Sequence, residues 1–260
     1  MSSSAAVAIT PSARLGREQM ERRFYLFASC IFLVFVALGF KQFYLHGQNF
    51  MGRSVTQQIA PLVVVHGTGM SAWVIFLIVQ SSLIVSGNRK LHMSLGIGGA
   101  VLAAFLVVVG LVTAGGAVHY RPQTFAFYGG ARRFLIIPLT DIVGFGVLVA
   151  IGFKNRRRPE IHRPMMCLAT LFALSAALTR ISFIRGPVGA ALHGTHFVLL
   201  LGWIPMLTLG LLLGLVKWAM SGTWDRYFAR GWAAIACVCV IQVFVAHSAA
   251  WDRLAGLVTG

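Results

Sequence analysis

Seven long apolar segments divide this chain, and their length constrains its fold more than any other feature. Each has about 20 residues, the length that an α-helix needs to cross the hydrocarbon core of a bilayer. We therefore predict an all-α, polytopic membrane helical bundle with six or seven transmembrane helices, because Gln242 and His247 interrupt the last segment. The predicted spans are residues 24–41, 59–85, 93–117, 134–153, 165–184, 190–217 and 231–250.

The composition supports a lipid environment. Hydrophobic residues make up 58% of the 260 residues and charged residues only 11%, whereas a soluble domain averages roughly 45–50% and about 25%. The net charge of +16 comes from basic residues that cluster between the apolar segments. Such clusters indicate topology and contact with anionic lipid, so we expect the lipid bilayer as a partner and no nucleic acid.

The basic residues also predict the orientation. They are denser in alternate connections, and the positive-inside rule assigns the denser set to the cytoplasm. We expect a bacterial cytoplasmic (inner) membrane, a cytoplasmic N-terminus and, with seven helices, a periplasmic C-terminus. The denser set comprises Arg14, Arg17, Arg22, Arg23, Arg89, Lys90, Lys154, Arg156, Arg157, Arg158, Arg163, Lys217, Arg226 and Arg230.

This topology divides the chain into four regions. Residues 1–20 are predicted to form a disordered cytoplasmic tail, and residues 21–58 the first helix and an outer loop. Residues 59–217 form a membrane core that contains the candidate site residues, and residues 218–260 form a cytoplasmic loop and the last helix. All four cysteines fall inside apolar segments, which gives no indication of a disulfide framework or a thiolate metal site.

Histidines near the starts of four different apolar segments are the main functional signal. His66 lies about seven residues into its segment, some ~10 Å along a helix axis, and His193 is followed closely by His196. With the predicted topology, His66 and either His193 or His196 form an outer pair. His92 and His162 form an inner pair.

Two such pairs match the requirements of b-type haem. This cofactor needs two imidazoles from facing helices, small residues that let the flat macrocycle approach, and cations for its propionates. Glycines follow several of these histidines, although glycine also serves helix packing in membranes, and shallow histidines are also found at the interface. The candidate cofactor-binding residues are His66, His92, His162, His193, His196, Arg89 and Arg180.

Asp141 is the only acid well inside a predicted span. An unpaired carboxylate there is costly, so we expect it to pair with Arg180 or with a histidine of the outer cluster. An alternative to haem is a Zn or Cu site, because imidazoles with one carboxylate suit a transition metal. The spacing of three residues from His193 to His196 predicts that both lie on one helix face. The candidate metal ligands are His66, His193, His196 and Asp141.

Two short runs carry a resemblance to known proteins. The sequence Gly-Asn-Arg-Lys-Leu-His-Met-Ser-Leu-Gly at residues 87–96 contains Leu-His, two residues, then Leu-Gly. The sequence Ile-His-Arg-Pro-Met-Met-Cys-Leu-Ala-Thr at residues 161–170 places His-Arg before a Met-Leu-Ala-like run. Both resemble signatures of a poorly characterised, His-bearing family of polytopic bacterial inner-membrane proteins, over residues 60–215.

A looser similarity is to transmembrane b-type cytochromes, whose core helices supply two bis-histidine haem sites. This similarity implies that His66, His92, His162 and His193 are axial ligands. The chain departs from that pattern in its extra helices at both ends and in the shallow positions of His92 and His162.

Three functions follow as hypotheses. The first is an integral membrane haem-b redox protein that carries electrons to or from a quinone or a partner complex. The second is a non-redox membrane factor with a metal or proton site, either a transporter or an assembly helper for a respiratory complex. The third is an accessory subunit without a cofactor.

Overall fold

The computed structural model describes residues 11–48, 55 and 57–259. In this part of the chain seven helical spans are long and apolar enough to cross a membrane, which confirms the predicted all-α polytopic bundle. The helices are α1 (Pro11–Gly39), α2 (Lys41–His46), α3 (Ala60–Val85), α4 (Arg89–Tyr120), α5 (Ala131–Lys154), α6 (Pro159–Ala173), α7 (Ser175–Leu178), α8 (Ser182–Leu192), α9 (Trp203–Ser221), α10 (Arg226–Ala246) and α11 (Ala249–Thr259).

The first helix begins at Pro11, inside the segment that the sequence predicts as a tail. Residues 1–10 of that predicted tail lie outside the described residues. α6 and α7 together form the fifth span, Pro159–Leu178. In an 18-residue stretch of this span 67% of the residues are buried, against 11–39% in stretches of equal length in the other spans. The fifth span is therefore the centre of the bundle, and the helices around it turn apolar side chains outward, where lipid would cover them.

Local capping signals make two helices begin earlier than predicted. The side chain of Asn88 accepts a hydrogen bond from the backbone N–H of Leu91 at the start of α4. α6 begins with Pro159, whose ring suits the first turn of a helix because no N–H is needed there. As a result His92 and His162 are each the fourth residue of their helix, one turn inside it.

The predicted sixth span, residues 190–217, is not one continuous helix. α8 ends at Leu192, and Gly194 adopts a left-handed φ of 74°, which stops the helix. A short 3-10 helix, His196–Leu200, then leads to α9. The expectation that His193 and His196 lie on one helix face is therefore wrong, because a turn separates them.

A close approach at Gly39 gives a first prediction. A Cβ atom added there would lie 2.4 Å from the carbonyl oxygen of Ala177, and a backbone atom cannot move aside as a side chain can. We expect Gly39→Ala to lower the free energy of unfolding by about 1–3 kcal/mol, the usual cost of overpacking. Thermal unfolding in detergent measures it, with Gly98→Ala as the control because nothing lies within 4 Å of a Cβ at that position. Equal stability of the two variants would contradict the contact.

Candidate functional site

The two predicted inner histidines meet at one end of the bundle. His92 near the start of α4 and His162 near the start of α6 have ring centroids 6.2 Å apart, with their planes at 83°. Both rings line one space together with residues of α1, α3 and α5. The structure thus brings together the two residues that the sequence predicts as an inner pair.

In both rings the Nδ1 atom is hydrogen-bonded to a backbone carbonyl group. Nδ1 of His92 lies 3.3 Å from the carbonyl oxygen of Gln80, and Nδ1 of His162 lies 2.9 Å from that of Gly152. A carbonyl oxygen only accepts hydrogen bonds, so each Nδ1 carries the proton and donates. Nε2 then keeps its lone pair in both rings. Metal-bound histidines are typically oriented by this kind of hydrogen bond.

The two rings line a cavity of about 740 Å³, here called the His92–His162 cavity. Its volume falls within the roughly 300–1,000 Å³ of small-molecule and cofactor sites. Its walls are mainly apolar and include the buried side chains of Trp73 and Val149. Five guanidinium groups also line it, from Arg22, Arg89, Arg156, Arg157 and Arg163.

Gly96 and Arg22 leave room and hydrogen-bonding capacity in this cavity. Gly96 lines it, and a Cβ there would meet nothing within 4 Å. The Nε atom of Arg22 is buried without a hydrogen-bond partner, although its Nη2 lies 3.5 Å from Glu18. In contrast, Gly99 serves packing, because the ring of Phe76 occupies the position of a Cβ there.

His66 lies toward the opposite end of the bundle. It precedes Gln80 by 14 residues in α3, about 21 Å along the helix axis. It lines a second cavity of about 360 Å³, here called the His66–Arg180 cavity. Its Nδ1 atom is buried and has no hydrogen-bond partner among the described residues. The ring packs against α4, where the Cβ position of Gly110 is 3.4 Å from His66 Cε1.

His193 and His196 are not brought to His66. Both are exposed in the connection between α8 and α9, and neither is among the described residues that line the His66–Arg180 cavity. The ring centroid of His193 is 5.9 Å from that of Phe127. Nδ1 of His196 lies 2.9 Å from Nε2 of His247, just after α10. The predicted outer pair is therefore not assembled, because the break at residues 193–195 carries both rings to the surface.

Asp141 has partners other than those expected. One carboxylate oxygen accepts a hydrogen bond from Nε1 of Trp203 at 2.7 Å, and the other accepts one from the hydroxyl of Ser175. The expected pairing with Arg180 or a histidine is wrong, because Asp141 faces the centre of the bundle, where α7 and α9 supply neutral donors.

The predicted metal ligands do not form a metal centre. No group of three or more His, Cys, Asp or Glu side chains in the described part of the chain is placed to hold a metal ion. Asp141 faces the centre of the bundle, His66 lines its own cavity, and His193 and His196 are exposed.

Trp73 lies between the two cavities. Its indole ring is fully buried and lines the His92–His162 cavity. Its Nε1 donates a hydrogen bond to Oγ1 of Thr170 at 3.0 Å, and Thr170 lines the His66–Arg180 cavity. The two cavities are thus linked through one tryptophan and its hydrogen bond.

Sequence reasoning missed a buried charged cluster next to the histidine pair. Lys217, the last residue of the predicted sixth span and counted among the cytoplasmic basic residues, lies about one turn before the end of α9 with a side chain that is 5% exposed. Its Nζ atom donates to the hydroxyl of Tyr25 at 2.7 Å and to the carboxylate of Asp225. Tyr25 also lines the His92–His162 cavity. The signal was the apolar sequence around Lys217, which is typical of a buried lysine rather than of a loop.

No protein-family model, curated protein or solved structure matches this chain. The resemblances to bacterial inner-membrane proteins and to b-type cytochromes therefore stay predictions.

Proposed function

We propose that this protein is a membrane redox protein that holds one haem b between His92 and His162 and exchanges electrons with a quinone or a partner complex. The observation that carries the proposal is the ring pair, with its centroids 6.2 Å apart and both Nδ1 atoms at backbone carbonyl groups. When bound, haem would supply one-electron transfer.

The spacing of the rings supports this ligand pair. Because metal–imidazole nitrogen distances are about 2 Å, a centroid separation of 6.2 Å would leave room for one metal ion held by a nitrogen of each ring. The hydrogen bonds at Nδ1 fix the ring orientations and leave Nε2 of His92 and of His162 as the atoms that would hold the haem iron. The rings come from different helices, as bundle cofactor sites require.

The charge and shape of the cavity support haem over a bare metal ion. A haem brings two propionates, and the described lining of the His92–His162 cavity contains five arginines and no acidic residue. Arg22 lines this cavity together with Arg89, a predicted cofactor-binding residue. Gly96 leaves space beside the rings for a flat macrocycle.

We propose one haem and not the two that the cytochrome resemblance implies. His66 is the one histidine among the described residues that line the His66–Arg180 cavity, so a second pair of imidazoles is lacking there. Basic residues gather at the end that carries His92 and His162. This distribution supports a cytoplasmic position for that end in a bacterial inner membrane.

Absorption spectra of the oxidised and dithionite-reduced protein, purified in detergent after expression with ample haem, test the proposal. We expect a Soret band and sharp reduced α and β bands, with about one haem per chain. Gly96→Leu should remove most of this haem because its side chain enters the cavity. Gly98→Leu is the matched control, since residue 98 lies two positions along the same helix and is exposed.

A featureless spectrum would reject the haem site. Stable co-purification with other membrane subunits would then favour an accessory subunit without a cofactor. Equal haem content in Gly96→Leu and wild type would also contradict the assignment, because the cofactor would then lie outside the His92–His162 cavity.

A further inference from the structure

The His66–Arg180 cavity combines apolar walls with positive charge. Arg121 and Arg180 line it together with His66, and none of its described lining residues is acidic. The aromatic rings of Phe43 and Phe134 form part of its wall. Such a lining is suited to an amphiphile, with a polar group at the cations and a hydrocarbon part along the aromatic rings.

Arg180 has no carboxylate partner among the residues that the structure describes. Its Nη1 atom donates to the backbone carbonyl of Ala176, and its Cζ atom lies 4.8 Å from the ring centroid of Phe40. These contacts use few of the five N–H groups of a guanidinium and do not neutralise its charge. A half-buried arginine in an apolar cavity therefore retains unused donors and an unbalanced charge.

No Asp or Glu side chain of the chain is free to pair with Arg180. The chain contains six Asp and Glu residues, and all of them lie in the described part. Asp141 is held by neutral donors from Trp203 and Ser175. The other five form ion pairs elsewhere: Glu18 with Arg22, Glu21 with Arg163, Glu160 with Arg158, Asp225 with Lys217, and Asp252 with Arg132.

His66 adds a second unused polar group. Its Nδ1 atom is buried without a partner, and burying an unpaired polar atom is costly. Beside it, the hydroxyl groups of Tyr44 and Ser71 lie 2.6 Å apart and line the same cavity. An oxyanion in this cavity would lie beside the guanidinium of Arg180 and the ring of His66, because both residues line it.

We propose that the His66–Arg180 cavity is a binding site for an anionic amphiphile, whose phosphate or carboxylate headgroup is held by Arg180 and His66. The assignment does not depend on haem at the opposite end of the bundle. The oxyanion is the shared chemistry, and its source is either a membrane lipid or a soluble anion.

Native mass spectrometry of the delipidated protein in non-ionic detergent tests this site. The probes are phosphatidylglycerol, oleate, inorganic phosphate alone and, as a zwitterionic comparison, phosphatidylcholine. We expect one phosphatidylglycerol or oleate per chain, bound more tightly than phosphatidylcholine. Arg180→Gln should weaken binding by about tenfold or more, the usual effect of losing a charge-assisted hydrogen bond, whereas Arg180→Lys should retain most of it.

Arg230→Gln is the matched control, because Arg230 is exposed and does not line either cavity. Circular dichroism and a single size-exclusion peak would establish that each variant folds. Preferential binding of acyl-chain probes would identify a membrane lipid, and equal binding of phosphate alone would identify a soluble anion. Unchanged affinity in Arg180→Gln, or equal affinity for phosphatidylcholine, would overturn the proposal. Haem content measured on the same samples keeps this result separate from that of the haem site.

Discussion

His162→Ala should lower the haem content of the purified protein by at least about tenfold, and His92→Ala should do the same. Loss of a group that only orients a metal ligand typically costs 10–100-fold in affinity, and loss of the ligand itself should cost no less. Separate backbone carbonyl groups hold the two rings with their centroids 6.2 Å apart, so neither ring can take the place of the other. The measurement is the ratio of Soret absorbance to protein absorbance.

His193→Ala is the matched control for both variants. His193 is exposed in the connection after α8, so its removal should leave the Soret band unchanged. His66→Ala distinguishes one haem from two, because its cavity lies at the opposite end of the bundle. If His66→Ala halved the haem content, a second haem would be present and the proposal of a single site would be wrong.

Lys217→Met should lower the free energy of unfolding by about 3–5 kcal/mol, because breaking a buried ion pair leaves the partner's charge without compensation. The side chain of Lys217 is only 5% exposed, and that of Asp225 is 16% exposed. Asp225→Asn tests the same pair from the other side. Asparagine still caps the start of α10 as Asp225 does through the N–H groups of Tyr227 and Phe228, so its effect should come from the ion pair.

Arg158→Met is the control for this ion pair. Arg158 and Glu160 form an exposed pair at 3.1 Å, and such pairs contribute only about 0.2–1 kcal/mol. Thermal and denaturant unfolding in detergent would compare the variants. If Lys217→Met were as stable as Arg158→Met, the pair of Lys217 and Asp225 would not be an important contribution to stability.

The sequence predicted six or seven membrane spans, of which the structure has seven, because the length of a span follows from the thickness of the bilayer. It also predicted the pairing of His92 with His162, since both residues begin helices that start on the same predicted side. The error at residues 190–217 has a local cause. A hydropathy profile does not detect a glycine in the left-handed conformation. Gly194, with a φ of 74°, ends α8 inside an otherwise apolar segment.

The partners of the buried polar groups depended on contacts between distant parts of the chain. Asp141 and Trp203 are 62 residues apart, and Lys217 and Tyr25 are 192 apart. From the sequence, Arg180 was predicted to pair with Asp141 because the two side chains have opposite charges. In the folded protein the donors that reach Asp141 are Ser175 of α7 and Trp203 of α9 instead.

The sequence by itself determined a membrane fold of six or seven spans and the placement of His92 and His162 near the starts of two of them. These features depend on hydropathy and capping, which act over one helix. Only the tertiary structure decided that carbonyl groups of Gln80 and Gly152 hold those two rings, and that Arg180 has no acid beside it. Both facts depend on the rotation and axial position of each helix relative to its neighbours. The sequence of a single membrane helix does not determine this rotation, because nearly every face of such a helix is apolar.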